Sequence, residues 1–314
     1  MQMNFDEFIQ YVKEYFQDKY GERFKVTVRQ VSKNNGVCLN GLTIMESEVK
    51  IAPTIYLEEF YRKYQQEESL QNVLDKIEEM YLMGRNNSRI DIDFFSDYEE
   101  VKDRIYIKMV NYEKNVIMLE DMPYIRMLDF AIVLYCQVYF ENGVQGTINL
   151  CHCHLNMWNV PKEDVFLKAM NNSMEQLPYE IKPMKDVISE FIGTPDWMDT
   201  ETDRKEESVQ MYVLSNKERL NGASVFAYPG IWEACAKHLN GNFLVLPSSI
   251  HELILIAQDW KQSQPESYFL QMVRDVNREQ VMEEEILSDH IYLYDSQNRQ
   301  LQDYVTKETI AFQE

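Results

Sequence analysis

Seven residues, Leu246-Pro247-Ser248-Ser249-Ile250-His251-Glu252, place two hydroxyls, an imidazole and a carboxylate in one short turn between the apolar runs Phe243–Leu246 and Leu253–Ala257. Those groups could support nucleophilic or acid–base chemistry, with a serine activated by a nearby histidine. Their spacing weakens that reading. In an extended chain Ser249 and His251 point the same way but lie a full strand repeat apart. In a helical turn Ser248 and His251 become neighbours. No Gly-x-Ser-x-Gly elbow surrounds either serine. Ser249 and Glu252 instead have capping-box spacing, which ties down backbone donors. His251-Glu252 begins like a zinc-protease motif, but that motif needs a histidine where this chain has Leu255. The turn therefore reads first as structural chemistry. Its functional alternative is a cleft built from Ser248, Ser249, His251 and Glu252, completed by Arg219 and Asn221 of the Asn216–Ala223 loop. There Asn221-Gly222 is a turn signal, and Arg219 could fork onto a carboxylate or phosphate.

Cys151-His152-Cys153-His154 resembles a metal-ligand cluster. Read as the end of a hairpin strand, it sends the two thiols to one face and the two imidazoles to the other. Four ligands cannot converge on one ion from such a run, which leaves His152 and His154 plus a distant carboxylate as its metal alternative. No metal or other cofactor is expected. Gly-x-x-x-x-Gly-Lys-Ser/Thr and Gly-x-Gly-x-x-Gly are both absent, so the standard phosphate cradles are missing. His290, in Leu287-Ser288-Asp289-His290-Ile291, reads as a structural residue at the start of a strand.

The elements that would hold these groups follow from periodicity. Phe5, Phe8, Ile9, Val12, Tyr15 and Phe16 have helical spacing, and Gly21 stops the helix. Phe24–Val31 and Val37–Met45 form a hairpin about Asn34-Asn35-Gly36. Helices follow over Thr54–Tyr64 and Ser69–Met83. Arg104–Val110 is a strand, and Met127–Phe140 pairs with Val144–His154 about Glu141-Asn142-Gly143. Pro161 opens a helix running to Met174. Later come strands Met211–Leu214 and Ala223–Tyr228, helix Ile231–Leu239, the hairpin around Pro247, helix Pro265–Glu285 and strand Ile291–Tyr294. The pattern predicts an α+β fold with mixed, largely antiparallel sheets, β-hairpins and flanking helices. Three regions are expected: residues 1–85 as a helix/hairpin/helix subdomain, 86–195 as a central α+β region with a long hairpin, and 209–314 as a C-terminal α+β region. The acidic segment Gly193–Ser208 links the last two.

Composition limits the functions available. With 45% hydrophobic residues among 314, the chain can bury a substantial core. Its 52 acidic and 31 basic residues give a net charge of −21, a field that repels nucleic acid and anionic lipid. A basic protein partner suits that surface. The acidic start, Met1–Glu7, has no basic region or apolar core, so no secretory signal is expected, and no window reaches the roughly 18 apolar residues of a membrane span. Five scattered cysteines read as free thiols in a reducing cytoplasm.

Several stretches together resemble an uncharacterised clostridial family, domain of unknown function 5688. They are Asn40-Gly41-Leu42, Ala52-Pro53-Thr54-Ile55-Tyr56-Leu57, Asn111-Tyr112-Glu113-Lys114-Asn115, Asn221-Gly222-Ala223, Leu246 through Glu252, and Leu287-Ser288-Asp289. The tract from Trp158 through Pro178, with Ala169, Asn171 and Leu177-Pro178, and the Pro247 hairpin are more loosely similar to the YtpQ-like bacterial proteins. The resemblance implies a bacterial intracellular α+β protein and carries no catalytic residues with it. The sequence as a whole points to a non-enzymatic interaction or regulatory protein with an acidic surface. The alternative is a hydrolase or transferase of novel type at the Pro247–Glu252 turn.

Overall fold

The computed structural model describes residues 2–47, 52–66, 68–85, 93–139, 145–192, 210–257 and 265–311. The Gly193–Ser208 linker and the Glu141-Asn142-Gly143 turn expected from sequence lie outside them, as does most of the polar stretch around Asn86. The fold is α+β, with three antiparallel sheets among the described residues. The chain divides into two compact units, residues 1–97 with 137–147, and residues 98–136 with 148–314. The regions read from the sequence as central and C-terminal thus contribute most of their residues to a single unit.

In the first unit, helix α1 (Phe5–Tyr20) begins at a capping box. Asn4 Oδ1 accepts from the Glu7 backbone N–H, and Glu7 Oε2 accepts from that of Asn4, both at 2.9 Å. Phe8, Val12 and Phe16, four residues apart on one face, are fully buried. They pack in one core with Val26 of β1 (Phe24–Ser32) and Leu42 and Ile44 of β2 (Cys38–Glu46). The stretch expected as a helix from Thr54 begins instead with strand β3 (Thr54–Tyr56), which pairs with β2. Its Thr-Ile-Tyr sequence has strong strand propensity. Helices α2 (Leu57–Gln65) and α3 (Leu70–Arg85) complete the unit, and Ser69 Oγ caps α3 through the Asn72 N–H.

The second unit starts with α4 (Tyr98–Val101), β4 (Ile105–Asn111) and α5 (Val116–Glu120). The sequence reading of one strand over Met127–Phe140 is corrected here. The chain forms β5 (Tyr124–Met127), turns at Leu128-Asp129, and returns as β6 (Phe130–Tyr139). Leu128 sits at φ 55°, a left-handed conformation that costs an ordinary L-residue roughly 1–2 kcal/mol. Strand β7 (Gln145–Asn149) pairs with β6. It stops short of the expected His154, because Cys151 flanks helix α6 (His152–Trp158). Helix α7 (Lys162–Gln176) follows Pro161, as the proline implied. The buried Tyr228 hydroxyl lies 2.9 Å from Ser173 O and 3.0 Å from Leu177 O, so it is a donor to carbonyls at the end of α7.

A seven-stranded sheet follows. Its members are β8 (Tyr179–Pro183), β9 (Met211–Asn216), β10 (Phe243–Ser249), β11 (Glu252–Ala257), β12 (Tyr292–Asp295), β13 (Gln300–Asp303) and β14 (Thr309–Ala311), in spatial order β14-β13-β12-β10-β11-β9-β8. Helices α8 (Met184–Ile192), α9 (Ile231–Leu239) and α10 (Glu266–Glu279) flank it. Phe269 and Val273 of α10 pack on Leu244, Leu246, Ile254 and Ile256. Trp232 of α9 stacks on Phe243 and Tyr294 and meets Phe226 edge-on. Strands buried on both faces have continuous apolar runs, which is why β10 and β11 were readable. The strand expected over Ala223–Tyr228 is corrected: Gly222–Ala227 is a largely buried 3-10 turn entered through Asn221 at φ 50°. Among the described residues no helix is long and apolar enough to cross a membrane.

Candidate functional site

The β10–β11 turn brings together most of the residues singled out in the sequence, and it uses them to hold itself. Ser249 pairs with Glu252 across a tight hairpin, with a bulge between Pro247 and Ser249. No helix follows Ser249, so its capping-box spacing serves a hairpin instead: Ser249 Oγ accepts from the His251 N–H at 3.1 Å. The His251 carbonyl accepts from Ser215 Oγ at 2.7 Å. His251 Nδ1 accepts from the Asn221 N–H at 3.3 Å, which places the proton of a neutral ring on Nε2. Nε2 in turn lies 3.5 Å from Glu285 Oε1. Arg219 lies 2.5 Å from Glu190 Oε2, and its own φ is 52°. Asn221 is buried. Ser248 belongs to β10, but its side chain lies outside the described residues.

Burial pushes the Glu252 carboxyl above the usual range, with Arg219 and His251 pulling it partly back. A carboxyl raised in the folded state adds stability below its unfolded value of 4.5 and loses that contribution as pH rises through the folded value. Above the folded value the carboxyl is therefore a net cost relative to acid pH. Glu252→Gln is expected to raise the urea midpoint at pH 7, with the gain vanishing below pH 4.5; an equal gain at both pH values would refute the assignment.

Cys151–His154 is corrected in structure and in ligand geometry. On a helix, residues two apart diverge by about 200°, so His152 and His154 cannot share an ion. His154 Nδ1 accepts from the Cys151 N–H at 2.9 Å, satisfying a donor at the start of α6. Burial lowers the His154 pKa, in keeping with a neutral acceptor ring.

A second constellation involves a residue set the sequence reading did not assemble. Ser288, His290 and Tyr292 alternate along the extended segment that leads into β12, and Asp303 at the end of β13 pairs with Tyr292. Asp129 joins them from the β5–β6 turn, where its carbonyl accepts from the Tyr112 N–H at 2.7 Å. Its carboxylate accepts from Ser288 Oγ at 2.6 Å and from the Tyr292 hydroxyl. Ser288 Oγ also accepts from the His290 N–H at 3.0 Å. His290 Nδ1 is 2.7 Å from Asp303 Oδ2 and 3.8 Å from Asp129 Oδ2. Asp303 Oδ1 accepts from the Val305 and Thr306 N–H groups at 2.6 and 3.1 Å, which turns Oδ2 toward the imidazole. The backbone is held as firmly: Asn111 Nδ2 donates to Leu287 O at 2.9 Å and Asn277 Nδ2 to Ser288 O at 2.8 Å.

Electrostatics follow from that wiring. The hydrogen bond to Asp303 raises the His290 pKa against the opposing effect of burial. Burial pushes Asp303 up, but His290 and the two backbone N–H groups overcome it and hold the carboxyl below its usual range. Burial raises Asp129 despite its hydroxyl donors. Among the described residues, Asp129, His290 and Asp303 form a group whose ligand atoms lie within 4.8 Å of one another. Chemically the set can hold a proton or a cation between two carboxylates. Ser288 is turned toward Asp129, so this is not a serine–histidine nucleophile pair.

No curated protein and no solved structure matched the chain. Residues 5–296 match the family of unknown function DUF5688, a span that includes the β10–β11 turn, Asp129 and His290 but stops before Asp303; on that match, the chain belongs to this family.

Proposed function

We propose that the protein acts by binding a basic protein partner through its acidic surface, as a non-enzymatic interaction or regulatory protein. The observation that supports this most is the fate of the catalytic-looking groups at the β10–β11 turn. Ser249 Oγ, His251 Nδ1 and the Arg219 guanidinium are each engaged with another group of the same chain, and His251 Nε2 faces Glu285 Oε1 at 3.5 Å. A hydrolase or transferase there would need His251 to offer a nitrogen to a nucleophile. The net charge of −21 supplies the complement of a basic surface and long-range attraction that salt weakens. Five cysteines without a disulfide, two of them buried with thiols pushed by burial to about 11 and about 12 at Cys136 and Cys235, accord with a reducing bacterial cytoplasm as the setting.

Native mass spectrometry of the protein isolated from its own cells at low salt tests the reading. The expected result is the added mass of a basic polypeptide that dissociates as ionic strength rises. A bare chain, or a complex indifferent to salt, overturns it.

A further inference from the structure

We propose that Asp129, His290 and Asp303 form a binding site for one divalent transition-metal cation of the Zn2+ class. The inference stands apart from partner binding and departs from the sequence expectation of a metal-free chain. Two carboxylates converge where Asp303 is 1% exposed, and with both ionised even a protonated His290 leaves the trio one negative charge in excess. Uncompensated charge in such a place is costly, and a dication relieves it. The ligand types select the ion. An imidazole nitrogen with two carboxylate oxygens suits Zn2+ better than Mg2+ or Ca2+, which prefer all-oxygen sets.

The ligands must move to close on an ion. An ion bonded at about 2.1 Å holds two ligands no more than about 4.2 Å apart, and about 3.4 Å apart when tetrahedral. The present span of up to 4.8 Å must close by as much as about 1.4 Å to reach the tetrahedral separation. The 2.7 Å contact between His290 and Asp303 must open by about 0.7 Å. Rotation of the Asp129 and His290 side chains must supply both, because the Val305 and Thr306 N–H groups hold Asp303. The surrounding hydrogen bonds orient the ligands as those around metal sites do. Ser288 and Tyr292 aim the Asp129 carboxylate, and the Val305 and Thr306 N–H groups fix Asp303. Three protein ligands leave a tetrahedral ion one position for water or a partner's side chain.

The test uses full-length protein freed of metal by chelation and titrated with Zn2+ by calorimetry. One equivalent should bind, with affinity at least about a hundredfold weaker in His290→Asn, which retains a hydrogen-bond donor for Asp303, and unchanged in the His152→Ala, His154→Ala double variant. Absence of binding, or equal binding by His290→Asn, overturns the proposal. Co2+ substitution of the unaltered chain decides the matter even if a variant fails to fold. Visible bands without thiolate charge transfer support a nitrogen–oxygen site, whereas thiolate bands place the ion on cysteine and overturn it.

Discussion

Asp129→Ala is expected to destabilise the protein by about 3–5 kcal/mol, the range for removing one partner of a buried charged cluster. The carboxylate takes the Ser288 and Tyr292 hydroxyls, and both residues are essentially inaccessible to water. Without it each hydroxyl loses its carboxylate acceptor: the two still lie 3.2 Å apart and Ser288 Oγ still accepts from the His290 N–H, but only one of the two hydroxyls can donate to the other. A buried donor left without an acceptor costs about 1–3 kcal/mol. Asp129→Asn should cost roughly half as much as the alanine variant, because its carbonyl still accepts one hydroxyl. It also removes a charge whose burial opposes ionisation. The order Ala worse than Asn separates a hydrogen-bond hub from a simple ion pair, since both variants lose the charge. Urea unfolding of full-length variants checks it. A double-mutant cycle with Tyr292→Phe should show coupling above about 0.5 kcal/mol, as for directly bonded neighbours.

Asp129 also shows where legibility in the sequence ended. Helix Ile231–Leu239 was readable because the Asn240-Gly241 breaker bounds it, and Asn240 does adopt φ 56°. The β10–β11 hairpin was readable because the contiguous apolar runs on either side have few other uses. The Leu128-Asp129 turn carries no glycine, proline or asparagine, and apolar residues flank it on both sides. Asp129 alone marks it locally, as a residue depleted in strands and common in turns; the register Met127 to Phe130 is set by the pairing of β5 with β6. Val225 and Phe226 likewise have strand propensity, yet they lie in a 3-10 turn enforced by packing. Part of the Asp129 site did have a signal. Ser288, His290 and Tyr292 at every second position share a face in extended chain, and the spacing of Asp303 and Thr306 suits a side-chain-closed turn. What the sequence withheld was that a third stretch, far away in the chain, brings a carboxylate to the same point.

Gly222→Ala is expected to cost about 3 kcal/mol or more, at the upper end for overpacking a filled interior. A methyl group here would stand 2.0 Å from Ser215 Oγ, 2.4 Å from the His251 carbonyl and 3.0 Å from the Asn216 nitrogen. Ser215 could rotate, but only by giving up its 2.7 Å hydrogen bond to that carbonyl. The carbonyl itself cannot move freely, because the hairpin turn is tied on two sides. Ala223 N–H donates to Ile250 O at 3.1 Å, and Ile250 N–H donates to Glu285 O at 2.9 Å. Ser215→Ala should therefore fail to rescue Gly222→Ala: the serine is one obstacle, and the backbone oxygen is the other. Recovery in the double variant would mean the side chain alone sets the limit. Urea midpoints supply the energies, and hydrogen exchange supplies the location, with faster exchange expected at the Ala223 and Ile250 amides. Those two amides report whether the Asn221 loop still holds the turn and, with it, the Nδ1 acceptor that keeps the His251 imidazole engaged.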